Sequence, residues 1–241
     1  IMNQWKSVTV DLRNTGHFVL GKKGGTGKTF TASVLTEYIR DGMASGNVLG
    51  PAETSSFMVF DADPSNYSLS QVASLGARRA AIFPRSGEVD VAELDRVFAP
   101  GEFGEEVRVV DMGSTGYVEI LQYLRETEIF SLWEQTGKRV FLHTPLCGGE
   151  RLGSTLMALG EIMENFPEAD IMVWCNDYDP SRTSAGILSV QDWLETEGGI
   201  YAKNPDAPET SLAEALSAPG PHVHSGLTQQ ASSAIFRHMM R

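Results

Sequence analysis

The chain has few cysteines, a shortage of basic residues and no long apolar run, and each shortage excludes a class of protein. Only Cys147 and Cys175 occur in 241 residues. They form no C-x-x-C pair and have no histidine at zinc-ligand spacing, so we expect neither a disulfide framework nor a zinc site. No apolar stretch approaches the roughly 20 residues that a membrane-spanning helix needs. We therefore expect a cytoplasmic protein with no membrane segment.

The charge balance bears on nucleic-acid binding. Lysine and arginine number 19 against 31 acidic residues, which gives a net charge of −12. The only runs of adjacent basic residues are the pairs at 22–23, 78–79 and 138–139. Proteins that grip DNA without sequence preference need clustered cations to replace its counterions. The composition thus argues against strong nonspecific DNA binding, although a local basic patch on an acidic protein would escape this argument.

What the chain does contain is a glycine-rich segment between a predicted strand and a predicted helix. The apolar run 17–20 predicts a buried strand, and residues 30–40 carry apolar side chains at helical spacing. Between them, residues 21–29 have the sequence GKKGGTGKT. The ordinary phosphate-loop pattern G-x-x-x-x-G-K-[ST] fails, because Lys22 stands where its first glycine should be. The variant Lys-Gly-Gly-x-Gly-Lys-Thr, beginning at Lys23, fits instead.

This segment has the chemistry of an anion site. Its glycines let backbone N–H groups turn toward a phosphate, and the following helix directs its partly positive N-terminus to the same place. Lys28 would reach the β- and γ-phosphates, and the Thr29 hydroxyl would bind Mg²⁺. The alternative is a glycine-rich turn with surface lysines. The predicted nucleotide-binding residues here are Gly24, Gly25, Thr26, Gly27, Lys28 and Thr29.

Aspartates end two further predicted strands. Residues 57–60 lead into Asp61 and Asp63, and residues 107–110 lead into Asp111. In parallel α/β sheets ligands bind at the carboxyl ends of strands. Carboxylates placed there, beside a phosphate loop, would manage Mg²⁺ and an attacking water. The alternative is that each aspartate only starts a turn or caps a helix.

Together these residues resemble a known family. The glycine segment resembles the deviant Walker A motif of the ParA/MinD superfamily of ATPases, in which an early lysine reaches into the partner's site across a nucleotide-sandwich dimer. The match gives that role to Lys23. Asp61 and Asp63 resemble the family's Asp-x-Asp-Pro switch segment, and Asp111 resembles its Walker B aspartate. Within this family, residues 140–144 followed by Gly148 and Gly149, together with residues 173–178, look most like the TraL/StbB-type ATPases of conjugative plasmids.

The resemblance implies a Mg²⁺-dependent ATPase that forms an ATP-dependent homodimer. Its output would be switched binding of a protein partner, not identified from the sequence, in plasmid transfer or maintenance. The implied catalytic residues are Lys23, Lys28 and Asp63, with Asp63 orienting the attacking water. The implied metal ligands are Thr29, Asp61 and Asp111.

Asn176 is a candidate for recognition of the base. It follows the strand-like run 171–175, at the position where the resemblance places a base-reading asparagine. An amide offers a donor and an acceptor, which suits the adenine edge. The alternative is an asparagine in a strand-to-loop turn. By contrast, we expect His143 to be an ordinary core or loop residue and Cys175 to be a small buried residue.

The chain also departs from the resemblance at two places. Ser65 and Asn66 follow the Asp-Pro pair where partition ATPases usually carry Gln-Gly. Met112 and Gly113 follow the Walker B aspartate where two prolines are usual. The second change argues against a partition role without affecting nucleotide binding. Two other functions stay open: a small-molecule kinase or synthetase on the same fold, and an ATP-binding adaptor with little turnover.

The expected fold is α/β, with a mostly parallel twisted sheet, helices on both faces and the architecture of a P-loop NTPase of the deviant Walker A kind. We expect one domain over residues 1–241, an N-terminal extension over 1–15 and a docking helix over 218–241. A loop is expected over 42–56. Further helices are expected over 66–75, 90–98, 116–135 and 150–165.

Overall fold

The computed structural model describes most of the chain up to the eighth strand. The described residues are 10–52, 56–83, 89–102, 104–148, 151–176 and 223–225. The first nine residues of the expected N-terminal extension and the whole of the expected docking helix except 223–225 lie outside these ranges.

Strands and helices alternate along the described residues. The strands are β1 (Val10–Asp11), β2 (Thr15–Val19), β3 (Val48–Leu49), β4 (Phe57–Ala62), β5 (Arg78–Arg79), β6 (Val107–Met112), β7 (Arg139–Cys147), β8 (Asp170–Asn176) and β9 (Val223–Ser225). The α-helices are α1 (Lys28–Ser45), α2 (Val91–Phe98), α3 (Tyr117–Glu126), α4 (Ile129–Gln135) and α5 (Leu152–Asn165). None of these described helices is long and apolar enough to cross a membrane.

Seven of the strands form one sheet, in the order β5-β4-β6-β2-β7-β8-β9. Every described pair of neighbours in it is parallel. The central strands β2 and β6 are buried along their whole length, as expected when helices cover both faces of a parallel sheet. The predicted α/β class with a mostly parallel sheet is confirmed. Strands β1 and β3 form a separate parallel pair.

The core has two halves, one on each face of the sheet. Helix α1 packs on one face, which we call the α1 face, with Val19 and Val109 among the strand residues beneath it. Helices α2 to α5 cover the other face, where Phe18 and Val110 lie. Neighbouring residues of a strand point to opposite faces, so each strand contributes to both halves of the core. The predicted placement of helices on both faces is confirmed.

Three predicted segments differ from the structure. The single helix expected over 116–135 is wrong: it is two helices, α3 and α4, broken at Glu128, whose φ of 49° cannot continue a helix. Residues 66–75, expected to be one short helix, contain two 3-10 helices, Leu69–Gln71 and Ala73–Leu75. The loop expected over 42–56 begins later, because α1 runs on to Ser45 and ends at Gly46 with φ 74°.

A chain of buried polar side chains crosses the α1 face. The Trp174 indole N–H donates to His143 Nδ1 at 2.9 Å, and His143 Nε2 lies 3.1 Å from His17 Nδ1. His17 Nε2 lies 3.0 Å from the Thr15 hydroxyl, which donates to the Leu12 carbonyl at 2.6 Å. Because the indole can only donate, each histidine must be neutral with its proton on Nε2. Burial lowers the pKa of His17 to about 3, and His143, expected to be a core or loop residue, is a core residue.

Candidate functional site

The candidate site lies where β2, β4 and β6 end. Asp61 of β4 pairs with Asp111 of β6, and Asp111 also pairs with Val19, the last residue of β2. Val19 of β2, Val59 of β4 and Val109 of β6 all lie on the α1 face of the sheet. The chain leaves β2 here and enters α1 through residues 21–27, which we call the glycine loop. The topology thus brings both predicted carboxylates to the edge of the sheet that the glycine loop crosses, as the sequence predicts.

The glycine loop has a backbone that needs its glycines. Gly25 has φ 70° and Gly27 has φ 95°, both in the left-handed region that disfavours a side chain. Gly27 also lacks room: a Cβ there would lie 2.8 Å from Asn176 Nδ2. Helix α1 begins at the next residue, with Gly27 as its N-cap and no side chain capping it. The N–H groups of the first turn are therefore left for another acceptor.

Lys28 is the first residue of α1, and its side chain reaches back to the backbone of the glycine loop. Its side chain is buried, and its ammonium donates to the Lys23 carbonyl at 2.8 Å. The Thr26 hydroxyl donates to the same carbonyl at 3.2 Å. Burial lowers the pKa of Lys28, while the carboxylates of Asp111 and Asp63 act to raise it. The loop therefore holds a cation at its centre, close to the strand-end carboxylates.

Asp111 is a buried carboxylate without a partner. Its side chain is 1% exposed, and neither oxygen has a hydrogen-bond partner among the described residues. Burial raises the pKa of Asp111 to about 7; the Thr29 hydroxyl opposes the rise, and the nearby carboxylates of Asp61 and Asp63 add to it. A buried carboxylate is costly unless a proton, a hydrogen bond or a cation compensates it. The orphaned oxygens and the hydroxyl beside them fit a divalent cation.

The site around Asp111 fits a cation whose remaining ligands are waters and phosphate oxygens. No group of three or more His, Cys, Asp and Glu side chains in the described residues is arranged to hold a metal ion by itself. Mg²⁺ commonly takes only one or two carboxylates, with waters and substrate phosphates completing its shell. Thr29, Asp61 and Asp111 match that kind of site.

Asp61 and Asp63 are both tied to the backbone around them. Asp61 accepts from the Ser70 N–H at 2.7 Å, and Asp63 accepts from the Ser65 N–H at 3.0 Å. The second contact is the turn geometry named above as the alternative for these residues. Asp63 remains half-buried, and its carboxylate occupies the place where a Cβ on Gly113 would lie. This position is compatible both with Asp63 as a turn residue and with Asp63 as the residue that orients the attacking water.

The two adjacent lysines of the loop have different surroundings. Lys22 Nζ forms an ion pair with Glu161 Oε1 of α5 at 3.0 Å. Lys23 is exposed, and its ammonium has no hydrogen-bond or ion-pair partner among the described residues. Neutralised Lys22 belongs to the packing of the loop against α5. Lys23 is left as a cation that faces solvent.

This chain is similar to Protein TraL of Escherichia coli. Two sequences of that name each match it with 26% identity over 163 residues, which is 67% of this chain. The match spans 63% of each relative, somewhat less than two thirds of its length. No protein-family model matches the chain. Identity at this level supports a TraL-like protein without establishing its chemistry.

Three donors to the loop were not predicted from the sequence. Arg151, just before α5, donates to the Gly25 carbonyl at 3.2 Å. The Cys147 thiol and the Asn176 amide both contact the Thr26 carbonyl, at 3.4 Å and 3.0 Å. Asn176 was predicted for base recognition, whereas here one of its N–H groups contacts the loop backbone. The sequence feature that indicates Cys147 and Asn176 is their position after apolar runs. Cys147 ends β7 and Asn176 ends β8, so both lie at the same edge of the sheet.

A hydroxyl pair joins the segments that follow β4 and β6. Ser65 Oγ and Thr115 Oγ1 are 2.5 Å apart. Ser114 lies near the loop as well, since its hydroxyl is 3.4 Å from where a Cβ on Gly24 would be. Ser65 directly follows the Asp63-Pro64 pair, and Ser114 follows Met112 and Gly113 after Asp111. The hydroxyl pair thus links the segments after β4 and β6, and Ser114, next to Thr115, lies beside the glycine loop.

Proposed function

We propose that the chain binds and hydrolyses ATP with Mg²⁺ at the glycine loop. The observation that carries the proposal is the buried, unpartnered carboxylate of Asp111 next to a loop with Lys28 at its centre. Lys28 and Asp111 attract each other, but this attraction does not replace the hydrogen bonds that the buried Asp111 oxygens lack. A bound Mg²⁺–triphosphate supplies a partner to each, which supports a nucleotide as the ligand.

Each predicted residue has a role in this proposal. The N–H groups of Gly24, Gly25 and Gly27 hold phosphate oxygens, and the Lys28 ammonium leaves the Lys23 carbonyl to neutralise them. Mg²⁺, when bound, lowers the charge on the transferred phosphate. The residues that would hold it are Thr29, Asp61 and Asp111. Asp63 accepts a hydrogen bond from the attacking water and so aligns it with the terminal phosphate.

Lys23 acts across a dimer in the proposal. Its ammonium faces solvent, unlike that of Lys22, which is held by Glu161. A second copy that closes over the nucleotide would receive this charge near its own phosphates. ATP then favours the dimer, and hydrolysis releases it, which switches the binding of a protein partner.

The setting that we propose is plasmid transfer or maintenance. It rests on the similarity to Protein TraL together with the resemblance to conjugation-associated ATPases. The net charge of −12 argues against a protein that rides on DNA. Recognition of adenine by the Asn176 amide is a hypothesis that stands beside this proposal, since one of its N–H groups contacts the Thr26 carbonyl.

The first test compares Lys28, at the start of α1, with Lys22 of the glycine loop. Lys28→Ala should abolish binding of Mg²⁺–ATP, measured by calorimetry, because it removes the central cation. Lys22→Ala is the matched control and should bind within about twofold of the unaltered chain, since it loses only an exposed ion pair. Wild-type affinity in Lys28→Ala would rule out the nucleotide site.

Product analysis then separates the three functions. Release of inorganic phosphate from ATP supports an ATPase. Transfer of phosphate only to an added metabolite supports a kinase. Binding without turnover supports the adaptor.

The second test concerns the dimer. Molecular mass in solution, with ADP and with a non-hydrolysable ATP analogue, should double only with the analogue. Lys23→Ala should bind nucleotide normally but remain a monomer and turn over slowly. Normal dimers of Lys23→Ala with the analogue would rule out a role for this lysine across the interface.

The third test uses Asp63 to trap that dimer. Asp63→Ala removes the carboxylate that aligns water, so it should accumulate an ATP-bound dimer and hydrolyse slowly. The trapped dimer should bind random duplex DNA weakly at physiological salt. Tight and steeply salt-dependent binding would instead support a nucleoid-riding partition ATPase, and unchanged hydrolysis would make Asp63 a turn residue only.

A further inference from the structure

One carbonyl of the glycine loop accepts hydrogen bonds from two different strands. The Thr26 oxygen receives Asn176 Nδ2 at 3.0 Å and the Cys147 thiol at 3.4 Å. The two donors come from neighbouring positions, since Cys147 pairs with Asn176 across β7 and β8. Both lie at the edge of the sheet where the loop crosses it.

This pair of contacts fixes the orientation of a peptide. The Thr26–Gly27 peptide is trans and planar, so its N–H points away from its C=O. With the oxygen held against the ends of β7 and β8, the Gly27 N–H must point away from them. At φ 95° Gly27 has the freedom to let this peptide rotate, so other contacts must fix it.

We propose that Cys147 and Asn176 are positioning residues that present the Gly27 N–H to a phosphate group of the bound nucleotide. The inference rests on the proposed function, which supplies the phosphate. It gives the two side chains a task that depends on neither the base nor the metal. Neither residue needs to touch the ligand to carry it out.

The support for the two donors is rigid. The Cys147 N–H donates to the Thr155 hydroxyl of α5 at 3.3 Å, and the Gly148 N–H donates to the Asn176 carbonyl at 3.4 Å. The Cys147 side chain is 1% exposed. A donor on a fixed strand end holds its acceptor more sharply than a donor on a loop would.

The absence of a side chain at Gly27 completes the arrangement. A Cβ there would lie 2.8 Å from Asn176 Nδ2, so only glycine allows the amide to come this close. The same residue thus supplies the N–H donor, the backbone freedom and the space for the group that holds its peptide.

The proposal differs from base recognition in a measurable way. If Asn176 reads adenine, its removal should weaken ATP binding but leave binding of inorganic tripolyphosphate unchanged. If Asn176 orients the Gly27 N–H, its removal should weaken both ligands equally. Tripolyphosphate carries the phosphates and no base, so it is the decisive probe.

The experiment uses four variants of the full chain. Cys147→Ala and Asn176→Ala each remove one donor, and each should weaken Mg²⁺–ATP and tripolyphosphate alike by roughly three- to tenfold. Cys147→Ser replaces the thiol donor with a hydroxyl donor. Its affinity for both ligands should be within about twofold of that of the unaltered chain. The matched control is Cys175→Ala, which alters the other cysteine one residue before Asn176 and should bind as the unaltered chain does.

A second measurement reports orientation directly and does not depend on affinity. The Gly27 amide resonance should shift downfield when the unaltered chain is saturated with tripolyphosphate. The shift at saturation should be smaller in Cys147→Ala and Asn176→Ala, with thermal unfolding used to show that both are folded. If either variant does not fold, Cys147→Ser and the Gly27 shift of the unaltered chain remain as tests.

The outcomes separate the two proposals. If the unaltered chain binds neither probe, the nucleotide site itself is wrong. If it binds both and the alanine variants match it in affinity and in the Gly27 shift, the positioning role is wrong and the nucleotide site stands. Loss of ATP binding alone in Asn176→Ala also overturns the positioning role and favours base recognition.

Discussion

Strand β6 has a buried carboxylate at each end, and the two differ in whether other residues donate hydrogen bonds to them. At the lower end, directly before β6, Glu106 accepts from Arg108 at 2.8 Å, from Lys138 at 2.6 Å and from the Gly101 N–H at 2.7 Å. At the upper end Asp111 accepts from no described residue. Both side chains are almost inaccessible to water. Burial alone therefore does not distinguish a structural carboxylate from a functional one.

The lower end is a closed cluster. Besides its contact with Glu106, Arg108 donates to the Val97 carbonyl at 2.9 Å and lies over the Trp133 ring at 5.3 Å. The Trp133 indole donates to the Phe98 carbonyl at 2.7 Å. The cluster joins β6 to α2 and α4, and it holds two cations for one carboxylate. Such an arrangement stabilises the fold only while every member is in place.

The largest expected effect is at the lower end. Glu106→Gln keeps the shape of the side chain but leaves the Arg108 and Lys138 charges buried without a counterion. The free energy of unfolding should fall by about 3–5 kcal/mol, as when one partner of a buried ion pair is removed. Chemical denaturation measures it. Glu105→Gln, which neutralises the half-exposed neighbour, is the control and should change stability by less than about 0.5 kcal/mol.

An equal loss from both variants would show that net charge matters here and that the cluster does not. In that case Glu106 would not be a structural carboxylate that differs in kind from Asp111.

The same chemical change at the upper end should have the opposite sign. The pKa of Asp111 is raised to about 7, so between about pH 4 and pH 7 the folded chain keeps a proton that the unfolded chain has released. The free energy of unfolding therefore falls as the pH rises through this range. Asp111→Asn never ionises, so in the absence of Mg²⁺ it should be more stable than the unaltered chain by about 2–4 kcal/mol at pH 8.

Denaturation in a chelator at pH 8 and at pH 4 measures this, and the difference should vanish at pH 4. The same variant should bind Mg²⁺–ATP much more weakly. A variant less stable than the unaltered chain at pH 8 would mean that Asp111 has a structural partner after all.

A smaller change in stability is expected from adding a methyl group at Gly113, beside Asp63, than from the changes at Glu106 and Asp111. A Cβ on Gly113 would overlap the Asp63 carboxylate, whereas one on Gly101 would lie 3.4 Å from Glu106 Oε1. Gly113→Ala should therefore cost about 1–3 kcal/mol and lower turnover by displacing Asp63. Gly101→Ala, the control, should cost less than about 1 kcal/mol. If Gly113→Ala turns over ATP as fast as the unaltered chain, the position of Asp63 is not critical.

The smallest expected effect is at an exposed ion pair. Lys22→Ala breaks the contact with Glu161, but both side chains are well exposed, at 48% and 34%. The change in the free energy of unfolding should stay below about 0.5 kcal/mol and shrink further in high salt. Denaturation at low and high salt measures it. A loss above about 1 kcal/mol would place Lys22 with the buried cations of the lower cluster.

The upper end of the sheet was largely predictable from the sequence and the lower end was not. Glycines next to Lys28 and aspartates after apolar runs are local signals, and parallel strands carry them to one edge. Glu106 gave no such signal, because its partner Lys138 lies far along the chain and only the sheet order brings them together. The break at Glu128 was missed for a different reason, since apolar spacing continues through it.

The donors to the loop were only half predictable. Asn176 was singled out by its position after a strand, but its contact with Thr26 depends on where β8 lies relative to the loop. The sequence around Cys147 indicates no role for this residue. Distances of this kind depend on tertiary packing, which composition and periodicity do not contain.

The chain of buried polar groups on the α1 face has a consequence for strand register. Parallel strands buried on both faces are nearly continuous apolar runs, so their hydrophobic pattern hardly distinguishes one alignment from the next. A shift of β7 by one residue would turn His143 to the opposite face and leave the Trp174 and His17 ring nitrogens without partners. Each buried group stranded in this way costs about 1–3 kcal/mol. These few polar atoms therefore select one alignment of β2, β7 and β8, and with it the positions of Cys147 and Asn176 at the edge of the sheet.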